Sequence, residues 1–479
     1  MASVSGSRLS FFASQPVNLV LSTNPGATVA GSSNIEVFTT AAGSIDPGFQ
    51  GSVFIQGASI TGSNTLQAGG PASTEQVLQG SMTVVDQTGG EHIQLIGAGG
   101  GGDSVTVIAS SGDVISGSTI SGNSQLIDAS DVQASVPGTI VSGPVTVTGG
   151  AGQTTVWAGA GDSITGGGGA LTVAGSGAST NNNTIGGGSS ALAAFDFGTG
   201  NSITGGSGTT FVNDAYGAGN GNTIVGGSGT GPITTPDNKG SDALFGGAGT
   251  WILGGTGDSI VAGSGTTFVE AGANNTITGA GATTVWGGGG GSIVGGAGGL
   301  QYNSNVSNAS GDTVSGGTGT LFAYAFGSGE SITGGSANAV INDAYTLVGG
   351  AFVGGNDTLA GGTGNATIFA GPGDTVNAGT GTFEIHLGSN VTGSETVDLS
   401  AQGAGGGSLR DDSVAGGAGT TATVTGFNTA TDTIGSATSF TGGSFQGTSV
   451  VSGGNTIVTF VDGSVLTIVG VTTPITFMA

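Results

Sequence analysis

A short beat of two polar residues and one aliphatic recurs along most of the chain. Asp, Asn or a near relative precedes Ser or Thr, and a branched aliphatic follows. Instances are "GDSI" at 161–164, "NNTI" at 182–185, "GNSI" at 200–203, "GNTI" at 221–224, "GDSI" at 257–260, "NNTI" at 274–277, "GDTV" at 311–314, "GESI" at 329–332, "NDTL" at 356–359 and "GDTV" at 373–376. Most neighbours lie 16 to 21 residues apart. Between them runs a second half-repeat with threonine where the acid would be, as in "GQTTV" (152–156), "GTTFV" (208–212 and 265–269) and "GATTV" (281–285). One coil of chain therefore holds two strands of three to five residues and two glycine turns. Such short β-branched segments, bounded by glycine and repeated at this period, predict an all-β fold: a parallel β-solenoid of the β-roll or β-helix kind, with no place for helices. Ile164, Val212, Ile224, Ile260, Val269, Ile277, Val285 and Ile293 are the expected inward column, each stacked on its counterpart one coil away. Roughly 16 coils fit between residues 96 and 390, which at about 4.8 Å per coil predicts a rod on the order of 75 Å long.

A longer repeat overlies the short one. "TTVW" occurs at 154–157 and 283–286, "FGTGNSITGGS" at 197–207 returns as "FGSGESITGGS" at 326–336, and "NDAY" at 213–216 returns at 342–345, always 129 residues on. The solenoid, 96–390, is thus read as an internal duplication of about 150–278 onto about 279–390. Residues 1–95 carry fewer glycines and are expected to form an irregular β segment or cap. Residues 391–479 form a separate C-terminal β module, with a hairpin in "GNTIVTFVDGSVLTIVGV" that turns at Asp462 and Gly463.

Composition narrows the functional classes. The 479 residues include 107 glycines, 10 prolines and no cysteine. No G-X-Y period exists, and 35% hydrophobic residues are too many for a disordered linker. Acidic residues outnumber basic ones 28 to 3, for a net charge of -25, so nucleic acid and anionic membranes are repelled. Arg8, Lys239 and Arg410 cannot pair with so many carboxylates, which makes divalent cations a candidate counter-charge. Without cysteine there is neither a disulfide framework nor a thiolate metal site. The opening "MASVSGSRLSFFASQPVNLVLST" fits a cleavable secretory signal poorly, and no 18-residue apolar window exists, so membrane insertion is not expected.

Two stretches resemble known families. The spaced glycines resemble the repeats-in-toxin nonapeptide G-G-x-G-x-D-x-U-x, most closely at "GGNDTLAGGTGN" (354–365) around Asp357 and at "GSDALFGGAG" (240–249) around Asp242. That resemblance implies calcium held between successive coils, with Asp242, Asp258, Asp357 and Asp374 as the metal ligands. The ladder to which they belong reads Asp162, Asn183, Asn201, Asn222, Asp242, Asp258, Asn275, Gly291, Asp312, Glu330, Asp357, Asp374. Only some rungs are anionic, and Asn and Asp also turn the backbone by bonding to it, so a purely structural ladder is the competing reading. Further on, "GFNTATDTI" (426–434) and "NTIVTFVDGSVLTIVGVT" (455–472) are similar to the terminal targeting module of proteins exported by type I secretion. That likeness implies an extracellular or cell-surface protein, secreted without an N-terminal signal peptide.

Catalysis is not expected. The three basic residues fall in different regions, His92 and His386 stand alone, and the carboxylate pair Asp411–Asp412 has no partner group in view. "NDAY", with Asp214 and Asp343, occurs twice, which points to a structural corner rather than a catalytic constellation. The expected role is a secreted, self-assembling structural protein of a bacterial surface layer, filament or biofilm matrix, calcium-assisted. It would form a homo-oligomer or polymer through its terminal β segments, with "SVLTIVGVTTPITF" (464–477) as the joint, and cell-surface polysaccharide is a further partner class. The alternative is an adhesin for a glycan or host ligand. Stacked threonines also raise an ice-binding surface, and β-helix enzymes that modify polysaccharides complete the alternatives.

Overall fold

A computed structural model describes residues 82–477 apart from 87–88, 96–103, 131–141, 177–178, 196, 214–220, 236–241, 305–310, 344, 347–351, 354, 389–392, 412–418, 437–446, 474 and 476. Before residue 82 it describes the backbone of seven strands. The described chain is all β, and it winds as a parallel β-solenoid of about 14 turns. Two units are distinguished, Met1–Ala248 and Gly249–Ala479. No helix among the described residues is long and apolar enough to cross a membrane.

Each coil contributes one strand to each of two parallel sheets. Sheet A holds the three-residue strands of the aliphatic beat. In the first unit Val147, Ile164, Ile185, Ile203, Ile224 and Leu244 stand opposite one another in consecutive coils, and all are buried. Ile260, Ile277, Ile293, Val314 and Ile332 do the same in the second unit. Every rung removes one aliphatic side chain from water, at about 1.5–3 kcal/mol each. Sheet B holds the longer strands of the half-repeat. In the second unit its inner column runs Ile252, Val269, Val285, Tyr302, Ala323, Ile341 and Ile368. Tyr302 replaces the aliphatic at one rung, and its hydroxyl donates to Asp312 Oδ2 at 2.7 Å.

Several details depart from the sequence reading. One threonine of each pair points inward: Thr154 and Thr283, the first of theirs, and Thr210 and Thr267, the second of theirs, are buried. The pairs therefore do not present two hydroxyls side by side to solvent. Fewer coils form than the 16 expected because some are long. One runs from Val114 to its partner Thr146, and another places 27 residues between the rungs Glu330 and Asp357. In the second of these an antiparallel pair of two-residue strands, Tyr345–Thr346 and Phe352–Val353, is inserted in the coil.

The corners explain the glycine content. The residue before most described rungs is left-handed, and Gly161, Gly200, Gly221, Gly257, Gly311 and Gly373 occupy that position. Where glycine is missing, Asn182, Asn274 and Asn356 take φ near +60, the non-glycine residue most tolerant of that region. A second kind of corner needs glycine for space as well. Gly317 has φ +66, and a Cβ there would collide with the Gly295 carbonyl oxygen in the adjacent coil, whereas Gly329, at φ +75, faces open space. Gly317→Ala is expected to cost more than Gly329→Ala by about 1–3 kcal/mol in urea unfolding, since only the first adds a backbone clash to the left-handed penalty.

Candidate metal centre

The acid-or-amide position of the beat forms a buried ladder at one corner. At most rungs the backbone N–H donates to the side chain one coil ahead. In the first unit Asp162 N bonds Asn183 Oδ1 at 2.6 Å, Asn183 N bonds Asn201 Oδ1 at 2.9 Å, Asn201 N bonds Asn222 Oδ1 at 2.8 Å, and Asn222 N bonds Asp242 Oδ1 at 2.8 Å. The second unit repeats the bond from Asp258 N to Asn275 Oδ1 at 2.6 Å and from Gly291 N to Asp312 Oδ1 at 2.6 Å.

The second side-chain atom decides between Asp and Asn. At Asp162, Asp258 and Asp374, Oδ2 accepts the N–H of the residue three positions earlier, Gly159, Gly255 and Gly371, at 2.7–2.9 Å. At Asn201 and Asn275 the residue three earlier presents its carbonyl instead, and Nδ2 donates to Gly198 O at 3.1 Å and Gly272 O at 3.0 Å. Rung chemistry thus follows which backbone group, N–H or C=O, the residue three positions earlier offers.

Asp357 breaks this rule. Its Oδ1 accepts the Glu330 N–H at 2.8 Å, but its Oδ2 completes no hydrogen bond. The long coil before it brings in Asp343 instead. Asp343 is anchored by its own N–H to Phe369 O at 2.9 Å, and its Oδ2 accepts the Gly355 N–H at 2.8 Å, which leaves Oδ1 without a partner. Asp374, one coil on, takes the Asp357 N–H on Oδ1 at 2.9 Å. Asp343, Asp357 and Asp374 each offer one carboxylate oxygen, all within 4.8 Å of one another, and none of the three is more than 1% exposed.

The electrostatics of the cluster are uncompensated. Burial, then the charges of Asp374 and Asp357, holds the Asp343 carboxyl far above the ordinary carboxylate range. Burial also raises Asp357, opposed by the amide it accepts from Glu330, and raises Asp374 against the amides of Asp357 and Gly371. Glu330 and Glu395 flank the cluster on the same ladder: Ser331 follows Glu330 in register with Thr358, and Thr396 follows Glu395 in register with Thr375. Burial first, and then Asp357 beside Glu330 and Asp374 beside Glu395, pushes each up to about 8. Neither glutamate completes a hydrogen bond through its carboxylate; Ser304 Oγ and the Gly327 amide moderate Glu330 from nearby.

Carboxylate oxygens without partners, converging in a buried pocket of negative charge, fit a hard oxygen-seeking cation such as calcium. Asp343, Asp357 and Asp374 would hold it.

Of the ligands expected from the sequence, Asp357 and Asp374 meet in this cluster. Asp242, in the first unit, and Asp258, in the second, act as ladder rungs, and neither joins a group of three such ligands among the described residues. Sequence reasoning misses two members. Asp343 lies in a repeated motif that reads as a corner, and its counterpart Asp214 lies outside the described residues. Glu395 sits in "SETV", the same beat, five residues beyond the boundary expected at 390.

A second acidic group, Asp86, Glu91 and Asp113, is buried in the first unit with ligand oxygens within the same 4.8 Å. Two of its three members accept amides: Asp86 Oδ2 from Gly89, Asp113 Oδ1 from Glu91 and Asp113 Oδ2 from Ser110. Burial, with Asp86 beside it, pushes Asp113 up to about 7.

Comparison with protein-family models, curated proteins and solved structures finds no match to this chain.

Proposed function

We propose that this chain is an extracellular structural protein that assembles with copies of itself into a surface layer, filament or matrix. A calcium ion held by Asp343, Asp357 and Asp374 would reinforce its solenoid. The C-terminal stretch similar to type I secretion modules supports export, and the glycine frame supports a repeats-in-toxin relationship.

The observation that carries self-assembly is one strand, Gly447–Ser452. It pairs antiparallel with Asn455–Phe460 and with no other described strand. Five of its six residues are exposed, Val450 at 60% and Val451 at 53%, so apolar side chains protrude from both faces beside a backbone edge that no described strand covers. Val461 and Val469 add exposed apolar surface on neighbouring segments. An apolar, unblocked edge strand is a template for another chain. Strand Val465–Ile468, within the stretch expected from the sequence to be the joint, has Thr421–Thr425 on one edge and Asn455–Phe460 on the other. The joint therefore moves out to Gly447–Ser452.

Val450→Lys/Val451→Lys tests this, because lysine on an edge strand blocks pairing. In calcium-containing buffer the wild-type chain is expected to sediment as large assemblies and to show ordered arrays or fibres by negative stain. The double variant is expected to remain monomeric with an unchanged far-ultraviolet spectrum. A wild-type chain that stays monomeric with and without calcium, or a double variant that still assembles, sinks the reading.

A further inference from the structure

The outer face of sheet B in the second unit has an ordered pattern of its own. Cross-strand register builds two outward columns. One reads Trp251, Phe268, Thr284, Gln301, Phe322, Val340, Thr367, Glu384 and Ser408. The other reads Glu270, Trp286, Asn303, Tyr324, Asn342, Phe369, His386 and Arg410, of which Asn303 is buried. From Glu270 to Phe369 the second column alternates a polar side chain with an aromatic one. Its rings therefore recur every second coil, about 9.5 Å apart. Trp251, Trp286 and Phe322 are 55%, 44% and 48% exposed, a large outlay of aromatic surface to leave in water. Phe369 is stacked on His386 with ring centroids 4.3 Å apart, which fixes the position of that ring on the sheet.

The first column continues into an open groove of about 530 Å³. Asn338, Asn365, Thr382, Glu384, Ser408 and Arg410 line it with hydrogen-bonding groups. Arg410 and His386 both pair with Glu384 there. From strand Thr250–Gly254 to strand Gly407–Asp411 this surface crosses nine strands of sheet B, about 38 Å.

We propose that this face binds an extended, neutral, β-linked polysaccharide. A pyranose ring with equatorial hydroxyls has an apolar C–H face, which packs on an aromatic ring, and a polar rim, which needs amides, hydroxyls and carboxylates. Rings alternating with Asn or Glu supply both in turn. The two-coil spacing matches a polymer whose repeat is a disaccharide. Length is supplied by the sheet, and hydrogen bonds by the groove at its end. A polyanion is disfavoured by the net charge of -25. A second copy of the chain would call for a continuous apolar patch, which the interleaved polar positions Glu270, Thr284 and Gln301 prevent.

Native-gel affinity electrophoresis tests the proposal, with hydroxyethyl cellulose and mixed-linkage β-glucan as neutral probes and alginate as the polyanionic control. Trp251→Ala/Trp286→Ala removes two exposed rings and no charge. The wild-type chain is expected to be retarded by at least one neutral probe and not by alginate. The double variant is expected to bind about tenfold more weakly, or not at all. Val450→Lys/Val451→Lys is expected to bind as wild type does, so a failure of self-assembly and a failure here are separable. No retardation by either neutral probe, equal retardation by alginate, or undiminished binding by the tryptophan variant overturns it. So does a tryptophan variant that loses self-assembly while keeping glycan retardation.

Discussion

Chelating divalent cations at pH 8 is expected to lower the thermal midpoint of the second unit by about 5–10 °C, and chelation at pH 4 is expected to change nothing. Calcium at about 100 times its dissociation constant contributes about 2.7 kcal/mol, and a kcal/mol moves the midpoint of a unit this size by about 2–4 °C. The pH dependence follows from the direction of the shifts. Glu330 and Glu395 have ordinary values of 4.5 and are raised to about 8 in the fold. Between those limits the folded state binds more protons than the unfolded state. Stability is fully present below pH 4.5 and is lost as pH rises through 8, by at most about 1.4 kcal/mol per pH unit for each group. Asp343, Asp357 and Asp374 are displaced in the same direction. Calcium reverses the loss by replacing the protons that the cluster would otherwise retain, so binding at neutral pH releases protons to the buffer.

Asp343→Asn separates this account from general charge screening. The amide spares the fold the proton that Asp343 must take up at pH 8 and can donate to Asp357 Oδ2, which otherwise completes no hydrogen bond. The variant is expected to be more stable than wild type under chelation at pH 8 and to have lost its response to calcium. Differential scanning calorimetry with and without chelator at pH 4 and pH 8 reads both quantities. A wild-type protein indifferent to calcium at pH 8, or a variant that still responds, rejects the metal centre.

The other large effect concerns a ladder rung. Asn275 accepts from Asp258 N and donates to Gly255 O at 2.8 Å and Gly272 O at 3.0 Å. Asn275→Ala leaves the buried Asp258 N–H without its acceptor and removes the partner of two carbonyls, at a cost of about 3 kcal/mol or more. Asn275→Asp keeps the acceptor but turns an ionised oxygen toward those two carbonyls. Its carboxyl is then raised in the fold, so the variant's stability is present below the unfolded aspartate value of about 3.9 and lost as pH rises above it. Urea unfolding at pH 4 and pH 7 distinguishes the two. An alanine variant within about 0.5 kcal/mol of wild type would mean that the ladder is dispensable.

The rungs also show why the fold is legible in the sequence and the site only partly so. A branched aliphatic two residues after each rung states the period directly, because inward stacking admits nothing else at Ile164, Ile224 or Ile277. Whether a rung is Asp or Asn follows which backbone group, N–H or C=O, the residue three positions earlier offers it. That is a property of the corner, and nothing in "GDSI" or "NNTI" announces it. Asp357 and Asp374 are therefore singled out by sequence together with Asp242 and Asp258, although the latter pair serve as rungs in different units. Asp343 can be suspected from the 27-residue coil that precedes Asp357. An insertion that ends on an acid beside the ladder is a different object from a repeated corner.

Several rung amides are satisfied by a side chain that lies later in the chain: Asp357 N waits for Asp374, and Asp258 N waits for Asn275. A coil is therefore left unfinished until its successor has been laid on it. Emerging from a ribosome with its N-terminus leading, such a chain locks behind itself like a ratchet, one storey at a time.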